Sequence, residues 1–169
     1  MTCSMRSKRL AGRYVQKSLS PVPKALVDTS TYFDIQRAVK NRRREWAQNS
    51  LRNLTKYRAH HSRLTISAFT SFEILDGLHR RSGDDAARSF SNEVVPFYEV
   101  IYPDESIVAI AADIHAALAG TRQLIGLADT FIAATAVSEK LTLVTANVKH
   151  FERIQEMGYS IALENWREV

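Results

Sequence analysis

The chain is poor in several residue types, and each shortage closes off a class of protein. It has a single cysteine, Cys3, among 169 residues, which excludes an intramolecular disulfide framework and a cysteine-based zinc site and fits a reducing cytoplasm. No run approaches the roughly 18 consecutive apolar residues that a membrane-spanning helix needs. The richest stretch, 107–119, is interrupted by Asp113 and His115, so no membrane contact is expected. The first residues carry positive charge but no continuous apolar segment, so a secretory leader is not expected. Acid is scarce in one part of the chain. Residues 1–63 hold 15 Lys and Arg against three acids (Asp28, Asp34 and Glu45), whereas 64–169 hold 8 against 15. A basic front and an acidic back point to a polyanionic partner beside a site that uses carboxylates.

What is present reads as one α/β domain behind a tail. Residues 1–24 are rich in Ser, Lys and Arg and close on Ser20-Pro21-Val22-Pro23, a signature of extended or turn backbone. They are expected to be a basic, flexible extension, with the domain spanning 25–169. Apolar runs at 25–27, 64–67, 97–101 and 141–145 have strand chemistry. Helical patterns fall between them at 31–59 (as one or two helices), at about 68–81, 84–94 and 107–118, and at 130–140. Candidate buried positions in the first pattern are Tyr32, Ile35, Val39, Trp46, Leu51, Leu54 and Tyr57. Residues 157–161 read as a turn into a final edge strand, with Trp166 packed there. Short strands alternating with helices predict a mainly parallel sheet covered on both faces.

In such a sheet, ligands bind beyond the carboxyl ends of the strands. Asp28 follows the first strand, and Glu73 lies about a turn into the helix after the second. Asp129 opens the helix before the last strand, and Asn147 and His150 follow that strand. Gathered carboxylates repel one another unless a cation balances them, and oxygen donors without cysteine or spaced histidine pairs favour Mg²⁺ or Mn²⁺ over zinc. Structural roles compete: Asp28 as a turn residue, Asp129 as a helix cap, Asp76 in place of Glu73, and His150 as the cap of a turn rather than a phosphate contact. His60, His61, His79 and His115 lack ligand spacing. Trp46 and Tyr57 suit a core better than a base-stacking platform. The cations around Arg42, Arg43 and Arg44 exceed what nearby acids can pair, so a phosphate-binding surface competes with a solvated face and a protein contact.

Four segments together resemble the PIN-domain nucleases, and especially the VapC-type toxins of prokaryotic toxin–antitoxin pairs. These are Leu26–Ser30, Glu73–Gly77, Ile125–Ala136 and Leu143–Phe151, within a likeness running from Lys24 to Trp166. The resemblance implies a three-layer α/β/α PIN-like fold and a metal-dependent endoribonuclease acting on RNA. Asp28 and Asp129 would be the principal Mg²⁺ or Mn²⁺ ligands and Glu73 the third carboxylate, helping to position the attacking water. Ser30 or Thr29 would support Asp28, Asn147 and His150 would serve as supporting or phosphate contacts, and Arg42–Arg44 would bind RNA. A cognate antitoxin, presenting Arg to the acids, and a homodimer are the further partners it implies. Where the family often has another acid in the last motif, this chain has His150 beside Asn147, which leaves a second metal ion without its ligand. That departure also motivates an alternative, a PIN-like RNA- or protein-binding module without turnover. An aspartyl-phosphate hydrolase with Asp28 as nucleophile is weaker still, since Ser30 stands where a second aspartate is wanted.

Overall fold

Five short strands carry the architecture. The computed structural model describes residues 22–122 and 124–168; most of the expected basic extension, residues 1–21, lies outside them. The strands are β1 (Ala25–Val27), β2 (Leu64–Ser67), β3 (Tyr98–Ile101), β4 (Thr142–Val144) and β5 (Ala162–Glu164). Their order in the sheet is β3-β2-β1-β4-β5, and every neighbouring pair is parallel. The expectation of a mainly parallel sheet therefore sharpens to a wholly parallel one among the described residues. Parallel strands require crossover connections, and the helices supply them. These are α1 (Thr29–Lys40), α2 (Glu45–Arg58), α3 (Ala68–Ser82), α4 (Asp84–Ser89), α5 (Glu105–Gly120), α6 (Leu127–Ser138) and α7 (Val148–Glu156).

Alternation along β1 explains the layers. Ala25 and Val27 join Tyr32, Ile35, Tyr57 and Trp166 in one apolar cluster, while Leu26 joins Leu143, Ile114, Ile132 and Phe151 in the other. Successive strand side chains point to opposite faces, so a three-residue strand feeds both cores. Burying a side chain such as Leu26 or Ile132 contributes about 1.5–3 kcal/mol. Helix α6 is buried on nearly every side, and its Ala133, Ala134 and Ala136 let α5 and the sheet approach closely.

Helix boundaries follow their caps. Ser67 accepts from Thr70 N to start α3 and Asp104 accepts from Ile107 N to start α5, satisfying amide groups that have no partner within the helix. Four expectations need correction. Helix α6 begins at Leu127 on Gly126, so Asp129 sits in its first turn and is not its cap. The expected 84–94 helix is α4 followed by a π-helical turn at Phe90–Val94, ahead of a proline at 96 that cannot continue an α-helix. Val39 is 56% exposed, because the buried face of α1 runs through Ile35 and Ala38. Trp46, Leu51 and Leu54 are only half-buried.

Among the described residues no helix is long and apolar enough to cross a membrane.

Candidate active site

Strand β1 lies between β2 and β4; the connection leaving β1 runs toward β2 and the one leaving β4 runs toward β5, in opposite directions, so a crevice opens at the carboxyl ends of β1 and β4. Asp28 is the next residue after β1. Its backbone N–H donates to Val144 O at 3.0 Å, continuing the ladder to β4, and its side chain turns inward to only 4% exposure. Two hydroxyls converge on one carboxylate oxygen, Oδ2: Thr145 Oγ1 donates at 2.5 Å and Ser30 Oγ at 2.9 Å. Those hydroxyls are fixed in turn, since Ala146 N donates to Ser30 Oγ at 3.0 Å and Asn147 N to Thr145 Oγ1 at 2.9 Å. The carboxylate is thus held between the ends of β1 and β4.

Glu73 comes from α3, six residues beyond the Ser67 cap. Thr29 Oγ1 donates to its Oε2 at 2.5 Å; of the two residues expected to support Asp28, Ser30 does so and Thr29 turns to Glu73 instead. Asp129 comes from α6, with His150 Nδ1 standing 3.3 Å from its Oδ2. Helices α3 and α6 are locked together by Phe69 stacked on Phe131, centroids 4.2 Å apart. Phe69 precedes Glu73 by one turn and Phe131 follows Asp129 by two residues, so this apolar contact fixes the two acids relative to each other.

Asp28, Glu73 and Asp129 line one cleft of about 420 Å³, together with Thr29, Ser30 and Asn147. Asp76 also lines it, paired with Arg80. The expected phosphate-binding Arg42–Arg44 lie elsewhere, in the connection between α1 and α2. Arg42 faces a depression with Arg52 and Lys56, and Arg44 one with Trp46 and Arg167. Three lining or clamping residues are not apparent from the sequence. Thr145 directly follows β4, two residues before Asn147, a position from which a hydroxyl could reach the end of β1. Arg80 and Arg81 follow Glu73 at helical spacing, which places them on its face of α3.

Charge in the cleft is strained. Burial pushes the Asp28 carboxyl above its ordinary value, and the nearby Asp129 charge adds to the rise, while the hydrogen bonds from Thr145 and Ser30 oppose it. Glu73 is also pushed up, first by burial and then by Asp129, Asp28 and Asp76, against the Thr29 hydrogen bond. Mutual elevation of this kind is relieved by a cation, and an all-oxygen donor set fits a hard divalent ion. Among the described residues, no three His, Cys, Asp or Glu side chains stand close enough to form a metal cage as they are. The fit therefore lies in donor chemistry and charge.

The comparison with known proteins decides the family. The PIN-domain model matches residues 25–157, which is most of the chain and includes β1, α3, α6 and β4. The chain belongs to the PIN-domain family. Within this family it is similar to Ribonuclease VapC1 of Methanocaldococcus jannaschii, 33% identical over 96 residues, 57% of this chain and 68% of that protein. Among solved structures it resembles DNA-bound VapBC from Salmonella typhimurium with a TM-score of 0.66 and 26% identity, covering 86% of this chain and 99% of the other. VapBC-1 from nontypeable Haemophilus influenzae gives 0.65 and 24% over 85% and 98%. The PIN domain here is thus of the VapC toxin ribonuclease type, and its five-stranded parallel sheet is the PIN sheet.

Proposed function

We propose that this PIN domain is an endoribonuclease that hydrolyses RNA phosphodiesters with Mg²⁺ or Mn²⁺, and that it is the toxin of a toxin–antitoxin pair. The observation that carries the reading is the meeting of Asp28, Glu73 and Asp129 in one cleft at the switch in strand order, with Asp28 and Glu73 pushed upward by burial and by neighbouring acids. Asp28 and Asp129 would hold the ion, with Glu73 as the third carboxylate. A divalent ion bound there supplies charge against the phosphodiester and a lowered pKa for a water.

The protein's own groups do the rest. Hydrogen bonds from Thr145 and Ser30 favour the ionised form of Asp28 against burial and fix its direction. Thr29 holds one oxygen of Glu73, leaving the other to orient the attacking water and accept its proton, a task suited to a carboxyl whose pKa burial raises above its ordinary value. His150 and Asn147 flank Asp129 and the end of β4, where a phosphate oxygen would lie. An antitoxin that inhibits this site would place an Arg against the acids, a partner supported by the VapBC assemblies that the fold matches. A homodimer belongs to the same proposal.

The test is cleavage of a structured RNA in Mg²⁺ or Mn²⁺ by wild type and by Asp28→Asn. The variant is expected to fall to background. Equal cleavage by both proteins would overturn the assignment. Calorimetric titration with Mn²⁺ separates the turnover-free alternative, since binding is expected in wild type and lost in Asp129→Asn.

A further inference from the structure

Four carboxylates line the cleft, from Asp28, Glu73, Asp76 and Asp129, and an RNA phosphate approaching them meets repulsion before it meets any metal. The cations lining the same cleft are Arg80 and Arg81, both on α3. On a helix, residues four and seven or eight beyond Glu73 return to its face, so Gly77, Arg80 and Arg81 extend one stripe from the acid outward. Arg80 is committed to Asp76 in an i,i+4 ion pair. Arg81 is exposed and has no acidic partner among the described residues. Gly77 is the second observation. Glycine lowers helix propensity inside a helix, yet a Cβ added at Gly77 would meet nothing within 4 Å. No close packing at that position requires a glycine; its effect is to leave the surface of α3 low between Glu73 and Arg81, over a length of about 12 Å at 1.5 Å per residue.

We propose that Arg81 is a substrate-binding residue, its guanidinium holding an RNA phosphate adjacent to the scissile one, with the strand lying along α3 over Gly77. This rests on the reading of the cleft as a nuclease site. It locates the first phosphate contact on α3 inside the cleft, ahead of Arg42–Arg44 outside it. A guanidinium suits the role because it stays charged and can bond a phosphate through two N–H groups.

The experiment measures binding of a fluorescently labelled single-stranded RNA by anisotropy across a salt series in EDTA, where cleavage is suppressed. For single strands the slope of log K against log salt falls by about 0.7 for every phosphate that the protein no longer neutralises. Arg81→Ala is expected to lower the slope by that amount and Arg81→Lys to restore it, with melting temperatures unchanged. Gly77→Leu is expected to weaken RNA binding several-fold while the melting temperature holds or rises, because a better helix former enters open space. An unchanged slope in Arg81→Ala overturns the assignment whatever Gly77→Leu does, and so does a slope change confined to variants of Arg42–Arg44. A wild type that binds with the expected Arg81 dependence but never cleaves in Mn²⁺ would sink the nuclease reading and leave Arg81 as an RNA contact.

Discussion

Replacing Thr145 by valine isolates the clamp on Asp28, because the side chain keeps its shape and loses only its hydroxyl. Thr145 is fully buried, donates to Asp28 Oδ2 at 2.5 Å and accepts from Asn147 N at 2.9 Å. A buried hydrogen bond to a charged group contributes roughly 1.5–3 kcal/mol and an amide left without a partner adds to the loss, so the variant should be destabilised by about 2–3 kcal/mol. For a domain of this size that corresponds to a drop in Tm of about 4–12 °C. A second effect follows from the direction of the bond. Donation to the ionised carboxylate holds the Asp28 pKa down against burial; without it the pKa rises further, and the acid limb of the pH–rate profile for RNA cleavage in Mn²⁺ should move to higher pH. Thr145→Ser keeps the hydroxyl and should keep the limb in place. Urea unfolding gives the stability and initial cleavage rates between pH 5 and 8 give the limb. A valine variant within about 0.5 kcal/mol of wild type with an unmoved limb would refute the clamp, as would a serine variant that shifts the limb as far as valine does.

Two further predictions concern stability. Asp34 is buried and meets Arg167 through two bonds, at 2.6 Å to Nε and 2.8 Å to Nη2, with Arg37 next at 3.8 Å. Removing one partner of a buried pair costs about 3–5 kcal/mol, discounted here to roughly 2–3 because the Arg167 side chain is 42% exposed. A double-mutant cycle of Asp34→Asn and Arg167→Ala measured by urea unfolding should show this coupling, and a coupling near zero would mean that the pair does not hold the carboxyl-terminal segment to α1. In the second, Asp28 and Glu73 have folded-state pKa values above their ordinary 3.8 and 4.5, so the folded state binds more protons than the unfolded chain between the two values. Stability from these groups is present below the ordinary values and is lost as pH rises through the raised ones. Without divalent ions, Tm relative to Asp28→Asn should fall on going from pH 4 toward 7. Mn²⁺ at a hundred times its Kd should restore about 2.7 kcal/mol at pH 7 in wild type alone. A flat difference between the two proteins would contradict the upward shift that burial, with the neighbouring acids, gives Asp28 and Glu73.

Strand positions and the three acids are legible because each rests on a local signal: an apolar run, then a polar residue where the run stops. Asp28, Glu73 and Asp129 can be assigned to one sheet edge from the order of elements alone. What stays hidden depends on contacts distant in sequence. Thr145 looks like the last residue of a strand until the pairing of β1 with β4 brings it against Asp28. The direction of Thr29, toward Glu73 and away from Asp28, is set by the packing of α3 and has no trace in the dipeptide Thr29-Ser30. Helix α7 is hard to see because its nine residues follow a motif that reads as a loop, although Phe151 and Ile154 are buried at the i, i+3 spacing of a helix. The arginines at 42–44 stand out as a run, whereas Arg80 and Arg81 reach the cleft by their phase relative to Glu73, which a count of charges does not register. Val39 shows the converse error, an apolar residue placed in the core when the buried stripe of α1 passes beside it.

The central place of β1 has a consequence for synthesis. Strand β1, which leads into Asp28, is made early, but the hydroxyl of Thr145 at the end of its neighbour β4 lies 117 residues after Asp28. At about 5–20 residues per second, the ribosome takes roughly 6–23 s to cover that distance. During this interval β1, β2 and β3 can pair while the position beside β1 stays open, and Asp129 arrives only shortly before β4 does. A polypeptide released before residue 145 carries the first acid with Ser30 but without the hydroxyl of Thr145. On the nuclease reading the site is complete only once β4 docks, so translation products that end before β4 should show no RNA cleavage.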